Sequence, residues 1–134
     1  MAAWRGARSP VSVSSGGAEP GLLVDLGLLV SAEGADGALW SLPHGGDLDA
    51  NLVRLSAGAE IGEHRNDEVD VLLSVLAGSG TLVVDGVVHD LTAGHLALVA
   101  RGGRRAVRAA AEGIVYLSIH RSRSGLSIGP RRAR

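Results

Sequence analysis

The stretch Thr81-Leu82-Val83-Val84-Asp85-Gly86-Val87-Val88-His89-Asp90-Leu91 decides the fold class. Two Val-Val pairs flank Asp85-Gly86. Both residues of such a pair tolerate positive φ, which a two-residue hairpin turn demands. The stretch therefore reads as two antiparallel strands joined tightly. Outward from it, short apolar runs alternate with turn signals: Leu22–Val30, Ala38–Leu42, Asn51–Leu55, Val69–Leu76, Thr81–Val84, Val87–Leu91, His95–Val99, Arg105–Ala109 and Ile114–His120. Gly-bearing breaks stand between them, among them Gly78-Ser79-Gly80, Ala93-Gly94, Gly102-Gly103 and Glu112-Gly113. Strand-length runs at roughly 8–12-residue spacing indicate an all-β sandwich or barrel. The Arg- and Ala-rich stretch 104–112 competes as a helix, but Gly on both sides and strand-like neighbours favour a strand.

Composition narrows the class further. A chain of 134 residues is the length of one domain. With 20 Gly it spends many residues on turns, against a helical bundle. No apolar run approaches the roughly 18 residues that span a bilayer; the best, Leu22–Val30, contains Asp25. Cys is absent, which excludes disulfides, thiolate metal sites and a Cys nucleophile. The net charge of −1 exerts no overall pull on nucleic acid or an anionic membrane. A soluble, cytoplasmic chain is expected. All 13 basic residues are Arg, which fits codon bias in a GC-rich bacterial genome. Each Arg is therefore discounted as a functional signal.

Residues 1–20 have no sustained period and read as a disordered leader. Residues 21–126 carry the barrel, and 127–134 read as a basic disordered tail. Residues 101–134 hold nine Arg against Glu112 alone. In the tail from Arg121 to Arg134 no aromatic residue interleaves with the Arg for base stacking, so nucleic acid is not the expected partner. The expected core is aliphatic and includes Leu72, Leu73, Val75, Leu82, Leu91, Leu96, Leu98 and Val107. The acid-rich segment from Glu60 to Asp70 reads as a solvated surface loop.

The stretch from Gly58 to Gly103 resembles the cupin superfamily, small β-barrels of jelly-roll type. Its first motif is G-x5-H-x-H-x3or4-E-x6-G. Gly58, His64 and Gly78 match it, and GSGTLVVDG at 78–86 has the form of its hairpin. The second motif is G-x5-P-x-G-x2-H-x3-N, which Gly94 and Gly102 match. The resemblance implies a cupin-type jelly-roll barrel over this region. Cupin enzymes hold Fe, Mn, Ni or Zn with three His and one Glu. Here the second His position is Asn66, the Glu position Val71 and the third His position Arg105. Asp70 stands one residue off the Glu position, which in a strand points it to the other face. One surviving ligand beside a fixed guanidinium does not make a divalent site.

The resemblance places His64, Asn66 and Arg105 together in the barrel mouth. They are the expected ligand-binding residues, with no metal, no cofactor and no catalytic residue assigned. The expected function is a metal-free cupin that binds a small polar or anionic molecule or serves as a dimeric module. A cupin-type isomerase or dioxygenase with an atypical metal site stays open as the alternative. A homodimer is expected, because small barrels have open edges, and Leu22–Val30 is the expected covering strand.

Overall fold

One short helix and seven strands follow in the order α1 (Leu26–Ser31), β1 (Gly37–Ser41), β2 (Leu48–Leu55), β3 (Glu60–Arg65), β4 (Val71–Val84), β5 (Val87–Thr92), β6 (Leu96–Val99) and β7 (Arg104–Arg121). They belong to a computed structural model that describes residues 21–43 and 46–122; the leader at 1–20 and the basic tail at 127–134 lie outside the described residues. All strand pairs are antiparallel. The order β1-β2-β7-β4-β5 forms the spine of one sheet, with β3 also on β7 and β6 also on β4. The chain is all-β and folds as a jelly-roll barrel. The Asp85-Gly86 turn forms with φ of 49° and 85°, and Val84 faces Val87 across it. Among the described residues, no helix is long and apolar enough to cross a membrane.

Two of the expected turns are not turns. Gly78-Ser79-Gly80 lies inside β4, and Glu112-Gly113 lies inside β7. Each joins two runs into one long strand, and the two long strands pair with each other. The ladder shifts register between Val75 and Ala77 and again between Gly78 and Gly80. Gly78 and Gly113 both have left-handed φ, 76° and 78°. A Cβ on Gly78 would stand 2.0 Å from the Gly113 carbonyl oxygen, and one on Gly80 2.3 Å from the Arg108 carbonyl oxygen. These glycines mark bulges where two backbones meet, a role that sequence spacing does not separate from a turn.

The core fixes which face of each strand turns inward. Val71, Leu73 and Val75 are buried with Leu82, Leu91, Val99, Val107, Ile114 and Tyr116. Turning β4 over would exchange that trio for Leu72, Ser74 and Leu76. Each buried aliphatic side chain contributes about 1.5–3 kcal/mol, whereas a buried hydroxyl without a partner costs about 1–3 kcal/mol. The Val-Leu-Val face wins. Three expected core residues are consequently on the outside: Leu72, Leu96 and Leu98 are 37%, 66% and 61% exposed. Leu72 pairs with Leu98, and Ser74 with Leu96, so the error is one face of one strand pair.

Two further expectations change. The Leu22–Val30 run is not a strand. Asp25 caps a helix there, its carboxylate accepting from the Leu28 amide at 3.3 Å. Arg54 donates to the Val30 and Ala32 carbonyl oxygens and so satisfies the other end. A short leucine-rich run fits both periods, and the cap decides. The first half of the acid-rich segment is not a loop but β3, which pairs along one side with β7, while 66–70 form the expected loop before β4. The strand carries exposed charges, as an edge strand does, and shows no alternation to read.

Gly78→Ala is expected to destabilise the barrel by about 2–4 kcal/mol, combining left-handed strain with a backbone collision. Gly94→Ala, with φ 96° but open space around it, is expected to cost only the strain, about 1–2 kcal/mol. Urea unfolding of the two variants measures the difference, and equal losses would count against the bulge.

Candidate ligand-binding site

Inward alternation on β2, β3, β4 and β7 leaves a cavity of about 240 Å³ inside the barrel. Its wall is largely aliphatic, with Val53, Ile61, Val71, Leu73, Val99 and Val107. The polar exceptions are Asn51, His64, Arg105, Tyr116 and Ser118. Strand register explains their grouping. His64 on β3 stands opposite Arg105 on β7, while Asn51 on β2 stands opposite Ser118 on the same β7.

His64 and Arg105 form a directed pair. The Arg105 Nε–H donates to His64 Nε2 at 2.9 Å. His64 Nδ1 lies 2.9 Å from the Gly62 carbonyl oxygen, so this nitrogen carries the proton and donates. The imidazole is thus fixed in orientation by its two partners. Asn66 is placed differently. Its Oδ1 accepts from the Glu68 amide at 2.8 Å and from the Val69 amide at 3.4 Å, closing the turn that leads into β4. Its carbonyl accepts from the Gly102 amide at 2.7 Å. Asn66 does not line the cavity. Its Nδ2 is buried and has no hydrogen-bond partner among the described residues.

The metal set of cupin enzymes does not fit this wall. The Glu position is Val71, an aliphatic part of the lining. Asp70 turns away, its carboxylate accepting from the Arg101 amide at 2.8 Å. The Nε2 of His64 already takes a hydrogen bond from a guanidinium, which also repels a cation. Among the described residues, no three His, Cys, Asp or Glu side chains come together as a metal site. Two other histidines are accounted for by position. His95 Nδ1 accepts from the Thr92 amide across the turn before β6, and His89 is exposed on β5.

Asn51, Tyr116 and Ser118 are the lining residues that motif reasoning passes over. Alternation along β7 links Tyr116 to Ser118, but their approach to Asn51 depends on a register that no local pattern supplies. Tyr116 is 4% exposed. Burial pushes its hydroxyl up to about 12, with the Arg105 guanidinium pulling the other way. It is a phenol, not a base, at neutral pH.

That shift has a sign. The folded value lies above the ordinary 10.0, so the folded chain holds its proton where the unfolded chain loses it. The stabilisation is complete below about pH 10 and is lost as pH rises through about 12, an effect on the order of 2–3 kcal/mol. Tyr116 is the chain's one tyrosine, so ultraviolet titration reads it directly. A native midpoint near 12 is expected, moving higher in Arg105→Ala, and Tyr116→Phe is expected to flatten the alkaline loss of stability. A native midpoint near 10 would contradict the buried geometry.

Residues 51–120 match the cupin domain family. None of the curated proteins matches the sequence. Among solved structures, the chain is similar to a cupin protein from Bacteroides fragilis, at 24% identity and TM-score 0.59 over 75% of this chain and 87% of that one. It is also similar to KdgF from Halomonas sp., at 19% identity and TM-score 0.58 over 63% and 76%. An RmlC-like cupin from Shewanella frigidimarina aligns at 25% identity and TM-score 0.55 over 60% and 71%. A family match across more than half of the chain, on a jelly-roll barrel that its neighbours share, makes this protein a member of the cupin superfamily.

Proposed function

We propose that this protein is a small, metal-free cytoplasmic cupin that binds a small anionic molecule in its barrel cavity. The observation that carries the reading is Arg105, a permanent cation on a largely aliphatic wall, held by His64 at 2.9 Å. A guanidinium presents planar N–H donors that match a carboxylate or phosphate in forked geometry. The cavity of about 240 Å³ lies just under the usual ligand-pocket range of about 300–1,000 Å³, which selects a small molecule. Val53, Val71, Leu73 and Val99 favour an apolar body behind the anionic head. Asn66 serves this reading as a support, holding the turn between β3 and β4.

Thermal-shift measurements with small carboxylates and inorganic phosphate test the reading. At one hundred times its dissociation constant, a ligand stabilises by about 2.7 kcal/mol. A shift with at least one anion on wild type, lost in Arg105→Ala, is the expected result. No shift for any anion, or one unchanged in Arg105→Ala, sinks the reading. One equivalent of transition metal in the purified protein, lost in His64→Ala, would favour an isomerase- or dioxygenase-like enzyme instead.

A second observation supports self-association. The outer face of β6, β4 and β7 brings Leu98, Leu72 and Ile119 into one cross-strand row and Leu96, Ser74 and Leu117 into the next. Neither row contains a charge, and an uncharged sheet face is self-complementary about a two-fold axis. A homodimer through this face is the reading. Light scattering is expected to give twice 13.6 kDa for wild type and 13.6 kDa for Leu96→Glu/Leu98→Glu. A wild-type monomer at every concentration would refute it.

A further inference from the structure

The cavity has a second polar group, built by residues that the anion reading does not use. Asn51 and Ser118 are direct cross-strand partners, and Tyr116 lies two residues before Ser118 on the same inward face. Ser41 donates its hydroxyl to Asn51 Oδ1 at 2.6 Å. That bond uses the acceptor side of the amide, so Asn51 offers its N–H donors. Among the described residues, no group hydrogen-bonds the Asn51 amide nitrogen, the Ser118 hydroxyl or the Tyr116 hydroxyl. All three residues line the same cavity as Arg105.

The chemistry of this group is specific. An amide N–H donates, and the two hydroxyls both donate and accept. Such a set suits an oxygen that also does both, a hydroxyl. It does not suit a second carboxylate, because Arg105 is the one cation among the lining residues. It does not suit a plain alkyl end either, since polar wall groups would then be dry. Aliphatic side chains make up the rest of the wall, so the ligand needs apolar carbon between its two polar ends.

We infer that the cavity takes a small hydroxy acid, its carboxylate on Arg105 and its hydroxyl on Asn51, Ser118 and Tyr116. This rests on the anion reading above and adds the second recognition point. It assigns Asn51 and Ser118 as specificity-determining residues that distinguish a hydroxy acid from the alkyl acid of equal length.

Calorimetric titration of the full chain with matched pairs tests it: butanoate against 4-hydroxybutanoate, pentanoate against 5-hydroxypentanoate, and hexanoate against 6-hydroxyhexanoate. At one chain length or more, the hydroxy acid is expected to bind about tenfold tighter, the size of one net hydrogen bond. Asn51→Leu and Ser118→Ala are each expected to remove most of that preference and leave the plain acid within about threefold of its wild-type affinity. Ser118→Ala removes only an oxygen, so it serves if Asn51→Leu fails to fold. Equal binding of both members at every length, with Arg105 dependence retained, overturns this inference and spares the anion site. No binding of any acid, or binding indifferent to Arg105→Ala, overturns both.

Discussion

The close backbone contact between β4 and β7 is the constraint on which the rest of the barrel depends. At Gly78, a methyl group's worth of space is missing: a Cβ there would reach within 2.0 Å of the Gly113 carbonyl oxygen. Both strands bulge at that point and continue. The result is one strand that lines the cavity twice, with Arg105 and Val107 before the bend and Tyr116 and Ser118 after it. A turn at Gly113 would end the strand, and nothing would then hold the two halves in one ladder. β7 also gives β2 and β3 their places, because each pairs with a different half of it.

That placement changes the electrostatic sense of a familiar cavity. A cupin metal site gathers electron-pair donors around a cation. Here Val71 replaces a carboxylate and Arg105 replaces an imidazole, so the wall itself carries the positive charge. His64 no longer has a lone pair to give outward, because Arg105 occupies it at 2.9 Å. Asn66 has become a backbone element whose side chain holds the β3–β4 turn.

What could be read in the chain was whatever has a local cause. The Asp85-Gly86 hairpin follows from two backbone conformations and four valines. The adjacency of His64 and Arg105 is what the cupin resemblance implies, and β3–β7 pairing supplies it. Other features have causes elsewhere. Leu72 looked like core because it sits between buried neighbours, and only the inward side of β4 decides against it. Gly78 and Gly113 looked like turns because a bulge and a turn ask for the same residue. β3 hid in its charges, since an edge strand has no second partner to impose alternation. Leu22–Val30 was ambiguous until Asp25 supplied a cap. Asn51 and Ser118 are separated by most of the barrel in sequence and meet only through β2–β7 register.

The distance along the chain between β2 and its partner strand bears on how the protein is made. Asp49 and Ser122, which meet at the end of this pairing, are 73 residues apart. At about 5–20 residues per second, a ribosome needs roughly 4–15 s to deliver the second after the first. Once β2 and β3 have emerged, the edge that faces β7 stays bare until β7 follows. Such edges recruit other strands. Barrels rich in long-range contacts also close slowly, in about milliseconds to seconds. Synthesis, not closure, therefore sets the window in which a nascent chain of this protein is open to aggregation. Slower translation lengthens it, and a holdase chaperone that shields β2 covers it.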